Sequence, residues 1–195
     1  MRLATSRGRA ALLALTLSPT ILLLGADAGS KPSAASGRVE RGKYLVTIMG
    51  CNDCHTPWKM GGNGVPEPDM TRMLSGHPEG LKMPPAPAPS GPWIASIAGT
   101  FTSFAGPFGT TYSINLTPDT NTGIGIWTED MFVKSLRTGK HMGTSRPIQP
   151  PMPWMWYSKA TDEDLKAMYA YLRTVPPIVN RVPDYEEPKA PPAKK

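Results

Sequence analysis

The placement of proline and glycine constrains this chain's fold more than any other feature. There are 23 Pro and 19 Gly in 195 residues. Proline ends helix interiors and central strands alike, because it lacks a backbone donor and clashes with the preceding turn. Regular structure is therefore confined to a few islands, and three of them show helical periodicity. In "GRVERGKYLVTIMGCNDCH", Tyr44, Leu45, Ile48 and Met49 fall on one apolar stripe, with Arg38, Glu40 and Lys43 left for solvent. Gly42 in the middle of that stretch costs about 1 kcal/mol relative to Ala, which is better understood if something packs closely against it. In "TEDMFVKSLRTGK", Thr128 is an N-cap, Gly139 a stop, and Met131, Phe132, Ser135 and Leu136 form the inner face. In "TDEDLKAMYAYLRTVPP", Thr161 begins a helix whose apolar positions are Leu165, Met168, Tyr169 and Leu172, and Pro176 and Pro177 end it.

The expected fold is all-α, a small helical domain over residues 37–177 with long Pro/Gly-rich loops. Residues 57–113 read as a long loop insertion. Its core, "HPEGLKMPPAPAPSGPW", cannot be a helix interior, and "WIASIAGTFTSFAGPFGTTYSIN" has enough alternation for short strands or a hairpin. Residues 29–36 read as a linker and 178–195 as an extended or disordered Pro/Lys-rich tail. So little apolar surface needs a staple, whether disulfides, a metal or a large buried cofactor.

The first 28 residues have the parts of a secretory signal peptide. Arg2, Arg7 and Arg9 precede an apolar run that ends in Ala26-Asp27-Ala28. The expected location is periplasmic, with membrane association only if that segment stays uncut. Without it the 21 Lys+Arg and 15 Asp+Glu fall to 18 and 14, a net charge of about +4. No stretch combines dense Lys/Arg with interleaved aromatics, so nucleic acid is not an expected partner.

The chemistry sits in "GCNDCHTPW". Cys51 and Cys54 are the only cysteines, and His55 follows directly. A disulfide between them would close a loop too small to stabilise much. A redox dithiol of the thioredoxin type wants a βαβ setting. Zinc needs a fourth ligand, which only His77 or His141 could supply. C-x-x-C-H in an exported chain reads instead as c-type haem attachment, with the thiols forming thioethers and the histidine aimed at the iron. The second axial ligand is expected at Met152, presented by Pro150-Pro151-Met152-Pro153 on a stiff extended backbone. Met155, Met142, His141 and His77 are the further candidates. If Met152 does not bind iron, an open sixth position flanked by His77 or Arg146 would suit a haem enzyme or a small-ligand sensor.

With these elements in place the chain resembles the class I c-type cytochromes, and in particular the single-haem modules in cytochrome subunits of membrane-associated alcohol and aldehyde dehydrogenases. The resemblance is carried by "GKYLVTIMGCNDCHTP", "YSINLTPDTNTGIGIWTEDMFVKSLRTGKHMG" and "PPMPWMWYSKATDEDLKAMYAYLRTVPP". It implies one covalent haem c on Cys51 and Cys54, iron between His55 and Met152, and the first helix packed on the last, with Gly42 opposite Tyr169 or Tyr171. Tyr112, Asn115 and Trp127 either line the haem crevice or are ordinary loop residues. The implied function is single-electron transfer through an Fe(III)/Fe(II) couple rather than catalysis. Its partners would be a redox donor and acceptor, such as a dehydrogenase or a terminal oxidase. Those subunits usually carry three such modules and this chain carries one C-x-x-C-H, so a free carrier is expected over a fixed subunit of a complex.

Overall fold

The computed structural model describes residues 33–87 and 91–188. The signal-peptide expectation, most of the linker and the last seven residues lie outside them. Helix α1 (Ala34–Ile48) begins inside the expected linker, because the Ser33 hydroxyl caps it by accepting from Ser36 N. One further turn, α2 (Cys51–His55), follows almost at once. Helix α3 (Glu129–Thr138) is capped by Thr128 and stopped by Gly139 in the left-handed region. After a short helix α4 (Trp154–Tyr157), helix α5 (Asp162–Leu172) starts at its Thr161 cap. Both caps and the glycine stop are as the sequence indicates. Among the described residues no helix is long and apolar enough to cross a membrane.

Helices α1 and α5 pack together, with Gly42 at the point of closest approach. A Cβ there would lie 1.9 Å from the Ala167 carbonyl oxygen and 2.9 Å from the Tyr171 Cβ. The face of α1 that is buried is not the expected one. Gly42, Leu45 and Val46 are inside with Met49 packed behind them, while Tyr44 and Ile48 are more than half exposed. The seam follows i, i+3, i+4, i+7 from the glycine, since only that line lets the two backbones touch. Leu165, Ala167, Met168 and Leu172 of α5 and Phe132 and Leu136 of α3 complete the core, with Leu74 and Ile124 from the connecting segments.

The all-α expectation needs correction. Residues 57–113 hold two small antiparallel sheets. Strands β1 (Trp58–Met60) and β2 (Pro66–Pro68) pair Lys59 with Glu67. Strands β3 (Ser96–Ile97), β4 (Ser103–Gly106) and β5 (Gly109–Tyr112) form a sheet in that order, with Ser103 opposite Tyr112. The segment is a wall rather than a cover: Phe104, Thr111 and Tyr112 face the interior cavity described below. Short strands joined by a two-residue turn at Pro107-Phe108 leave little periodicity to read, which is why the sequence pattern undersold them.

The tail packs back onto the domain. Through Pro188 it is extended but tied down. Glu186 pairs with Thr110 by two backbone hydrogen bonds of 2.9 Å, and its chain crosses so close to Gly109 that a Cβ there would sit 2.1 Å from the Glu186 carbonyl oxygen. Tyr112 donates to Glu186 and Tyr185 to the Phe108 carbonyl. Asn180 is buried outright.

Candidate functional site

Met49 caps the C-terminus of α1, and Gly50 adopts a left-handed conformation (φ 68°) that starts a new turn. In that turn Cys51, Cys54 and His55 stand at i, i+3 and i+4, which places all three on one face. Cys51 and His55 are buried and Cys54 half-buried, and neither cysteine is in a disulfide. The turn is braced on both sides. Thr56 donates its hydroxyl to Asn52 Oδ1 and accepts from Leu74 N, while Tyr157 of α4 donates to the Met49 carbonyl.

One hydrogen bond decides what His55 can offer. Its Nδ1 lies 2.8 Å from the Ile114 carbonyl oxygen. A carbonyl only accepts, so Nδ1 carries the proton, and in the neutral ring Nε2 keeps its lone pair. Burial holds His55 below its ordinary pKa, partly opposed by that bond, so the ring is neutral. Burial pushes the Cys51 thiol up to about 12 and raises Cys54 as well, with the Asp53 charge adding to both.

These groups open onto a cavity with about 1080 Å³ of empty space, counting its mouth. Met152 lines the same cavity, as do Tyr112, Trp127 and Met168. All four residues singled out from the sequence are thus brought to one place. Met152 is positioned by a ladder that starts at the end of α3. Ile148 N donates to the Gly139 carbonyl and His141 N to the Arg146 carbonyl, and Met152 N lies 3.3 Å from Gln149 O. Gly139 is required twice over, by its φ of 65° and because a Cβ would strike the Trp154 ring at 2.3 Å.

The other candidate ligands fare differently. His77 is fully buried and both its ring nitrogens are engaged, Nε2 with the Leu81 carbonyl and Nδ1 with the Thr102 hydroxyl. It cannot serve as a ligand or a distal acid in this arrangement. Met155 is half exposed on α4, and neither it nor Met142 lines the cavity. His141 and Arg146 do line it; burial and the Arg146 charge hold His141 below its ordinary pKa. Asn115 does not. Its amide is spent on Thr117, Thr122 and the Ile178 carbonyl, and it organises a loop. Among the described residues no three His, Cys, Asp or Glu side chains gather to hold a metal ion. Two parts of the site have no signature in the sequence, the Ile114 carbonyl and the Tyr157 brace. One is a backbone atom, and the other depends on where α4 lands.

The donor set fits a haem: two unpaired thiols and an imidazole with a free lone pair on one turn, and a thioether on the same apolar cavity. No protein-family model matches the chain. It is similar to the cytochrome c subunit of a quinone alcohol dehydrogenase from Komagataeibacter europaeus, 30% identical over 170 residues, which is 86% of this chain and 29% of that protein. The chain is related to the cytochrome c subunits of dehydrogenases. Similar proteins include the fructose dehydrogenase cytochrome subunit of Gluconobacter japonicus, 28% identical over 84% of this chain and 28% of that one. The gluconate 2-dehydrogenase cytochrome c subunit of Pantoea cypripedii is 30% identical over 77% and 26% respectively. The chain spans less than a third of the length of these relatives.

Proposed function

We propose that this chain is a haem c protein that carries single electrons from a dehydrogenase to a second redox protein. The observation that carries the reading is the lone pair of His55 Nε2, left free by the Ile114 bond, opening with Cys51, Cys54 and Met152 onto one apolar cavity. The dehydrogenase partner is supported by the relatives, which are cytochrome subunits of such enzymes. An exported, periplasmic location belongs to the same proposal and rests on the pattern of the first 28 residues.

When bound, haem c would supply a one-electron Fe(III)/Fe(II) couple. The residues divide the remaining work. Cys51 and Cys54 would tether the group through thioethers. Both thiols are kept protonated by burial, and attachment would add each S–H across a vinyl C=C of the haem, sulfur bonding one carbon and the hydrogen going to the other. His55 would hold the iron through Nε2, its ring fixed by Nδ1. Met152 would hold it from the segment after Gln149, a soft sulfur that favours the reduced state. Phe104, Tyr112, Trp127, Phe132, Leu136 and Leu172 line the cavity and would exclude water, so the charge change would take place among apolar walls. With both His55 and Met152 as ligands, no coordination site would be open to substrate.

The test is the absorption spectrum of the chain produced with haem-attachment machinery. A covalent c-type spectrum with a methionine-to-iron charge-transfer band near the red edge, lost in Met152→Ala, is the expected result. A high-spin spectrum in the unsubstituted protein would overturn the reading.

A further inference from the structure

Asn180 belongs to the tail, 125 positions from His55, and only 2% of it is exposed. Every bonding position of its side-chain amide is used. Oδ1 accepts from Arg72 Nη2 at 3.0 Å and from Glu79 N at 2.9 Å, and Nδ2 donates to the Ser75 and His77 carbonyls at 2.7 and 2.8 Å. The segment it grips is in turn bonded to the His55 turn. Gly76 N donates to the His55 carbonyl at 2.7 Å and Leu74 N to Thr56 Oγ1 at 2.9 Å. The same segment is bonded to the chain leaving β5. His77 N donates to Ser113 O and Leu116 N to Leu74 O, and a Cβ on Gly76 would sit 2.4 Å from the Ser113 carbonyl oxygen.

The tail reaches that second chain directly as well. Ile178 O accepts from Asn115 Nδ2 at 2.7 Å, Ile178 N donates to Thr117 Oγ1, and Asn180 N donates to Thr122 Oγ1 at 3.0 Å. Residues 178–180 therefore lace together the two segments that grip His55. One holds its backbone carbonyl through Gly76, and the other holds its ring through Ile114.

We propose that Asn180 is a positioning residue for His55. By joining the two segments it sets how closely the Ile114 carbonyl meets Nδ1–H. A strong bond there makes the ring a better donor through Nε2. The inference rests on His55 being an iron ligand. Loosening the clasp weakens the bond, makes the ring a poorer donor and favours the reduced form.

The experiment uses the full chain with its haem attached, equilibrated in a fixed redox buffer, and compares Asn180→Ala with Tyr185→Phe. Tyr185→Phe removes another tail hydrogen bond, to the Phe108 carbonyl, and leaves the clasp intact. Asn180→Ala is expected to raise the reduced-to-oxidised ratio roughly 3- to 10-fold, tenfold being 59 mV for one electron. Its His55 Nδ1 proton should also exchange faster. Tyr185→Phe is expected to lower the unfolding midpoint and leave the ratio unchanged. Equal ratios in Asn180→Ala and the unsubstituted protein, with the spectrum intact, overturn the inference. If Asn180→Ala does not fold, Thr122→Val decides: it removes the anchor of Asn180 N, along with that hydroxyl's bonds to Asn115 Nδ2 and Asp119 Oδ1, and leaves the Asn180 side-chain amide in place. A smaller rise supports the clasp and no rise overturns it. A chain that takes up no covalent haem overturns the underlying reading and this inference together, and shows it in the spectrum before any ratio is measured.

Discussion

Gly42 of α1 and Ala167 of α5 meet backbone to backbone, with room for a hydrogen and not for a methyl group. Two effects oppose each other in Gly42→Ala. The substitution gains about 1 kcal/mol of helix propensity. It also forces a Cβ to within 1.9 Å of a carbonyl oxygen that cannot rotate away, so the helices must separate. Overpacking of this kind costs about 1–3 kcal/mol and more where the obstacle is backbone. The clash wins. Gly42→Ala is expected to destabilise by about 2 kcal/mol, read as a lower denaturant midpoint at unchanged slope.

The alkaline side of the stability profile should report on Tyr112. Burial, its hydrogen bond to Glu186 and the Glu186 charge together push its phenol from 10 up to about 12. A raised folded-state pKa means stability that is complete below pH 10 and lost as pH climbs from 10 towards 12. Tyr112→Phe removes the titrating group. Urea midpoints on either side of pH 10 should therefore fall less steeply in the variant than in the parent. Parallel profiles would contradict the assignment.

Tyr157 ties α4 to the C-terminal end of α1 through the Met49 carbonyl. Tyr157→Phe leaves that half-buried carbonyl without its partner, at a cost of about 1 kcal/mol. Thermal unfolding followed by circular dichroism measures it. Because α4 directly follows Met152, the same variant should weaken the charge-transfer band expected from methionine ligation.

The two cysteines should be separable by the covalency of the cofactor. Cys51→Ala and Cys54→Ala each leave one thiol, so a haem-stained band should survive denaturing electrophoresis in either single variant. The double variant should lose it. A stained band in the double variant would count against thioether attachment.

The legible parts of this protein are those governed by short spacing. C-x-x-C-H places three donors on one turn wherever a helical turn forms. The Thr128 and Thr161 caps and the Gly139 stop are local for the same reason. Proline around Met152 denies that residue a helix in any context. The buried face of α1 is not legible in the same way, because Ile48 is as apolar as Val46 and Tyr44 carries a large apolar ring. The seam is decided by what Gly42 touches, and that partner lies on another helix.

Sequence by itself determined the caps of α3 and α5, the Gly139 stop and the identity of the four candidate donors, because each depends on residues a few positions apart. Tertiary structure alone decided that residues 57–113 build a wall of small sheets and that His77 is spent on Thr102 and Leu81. It also decided that the Ile114 carbonyl leaves His55 Nε2 free. These rest on which groups meet in space: His77 reaches Thr102 across 25 positions and His55 reaches Ile114 across 59, while Asn180 folds back to Ser75 across 105. A backbone carbonyl is the same in every residue, so nothing in the letters could mark which one would be there.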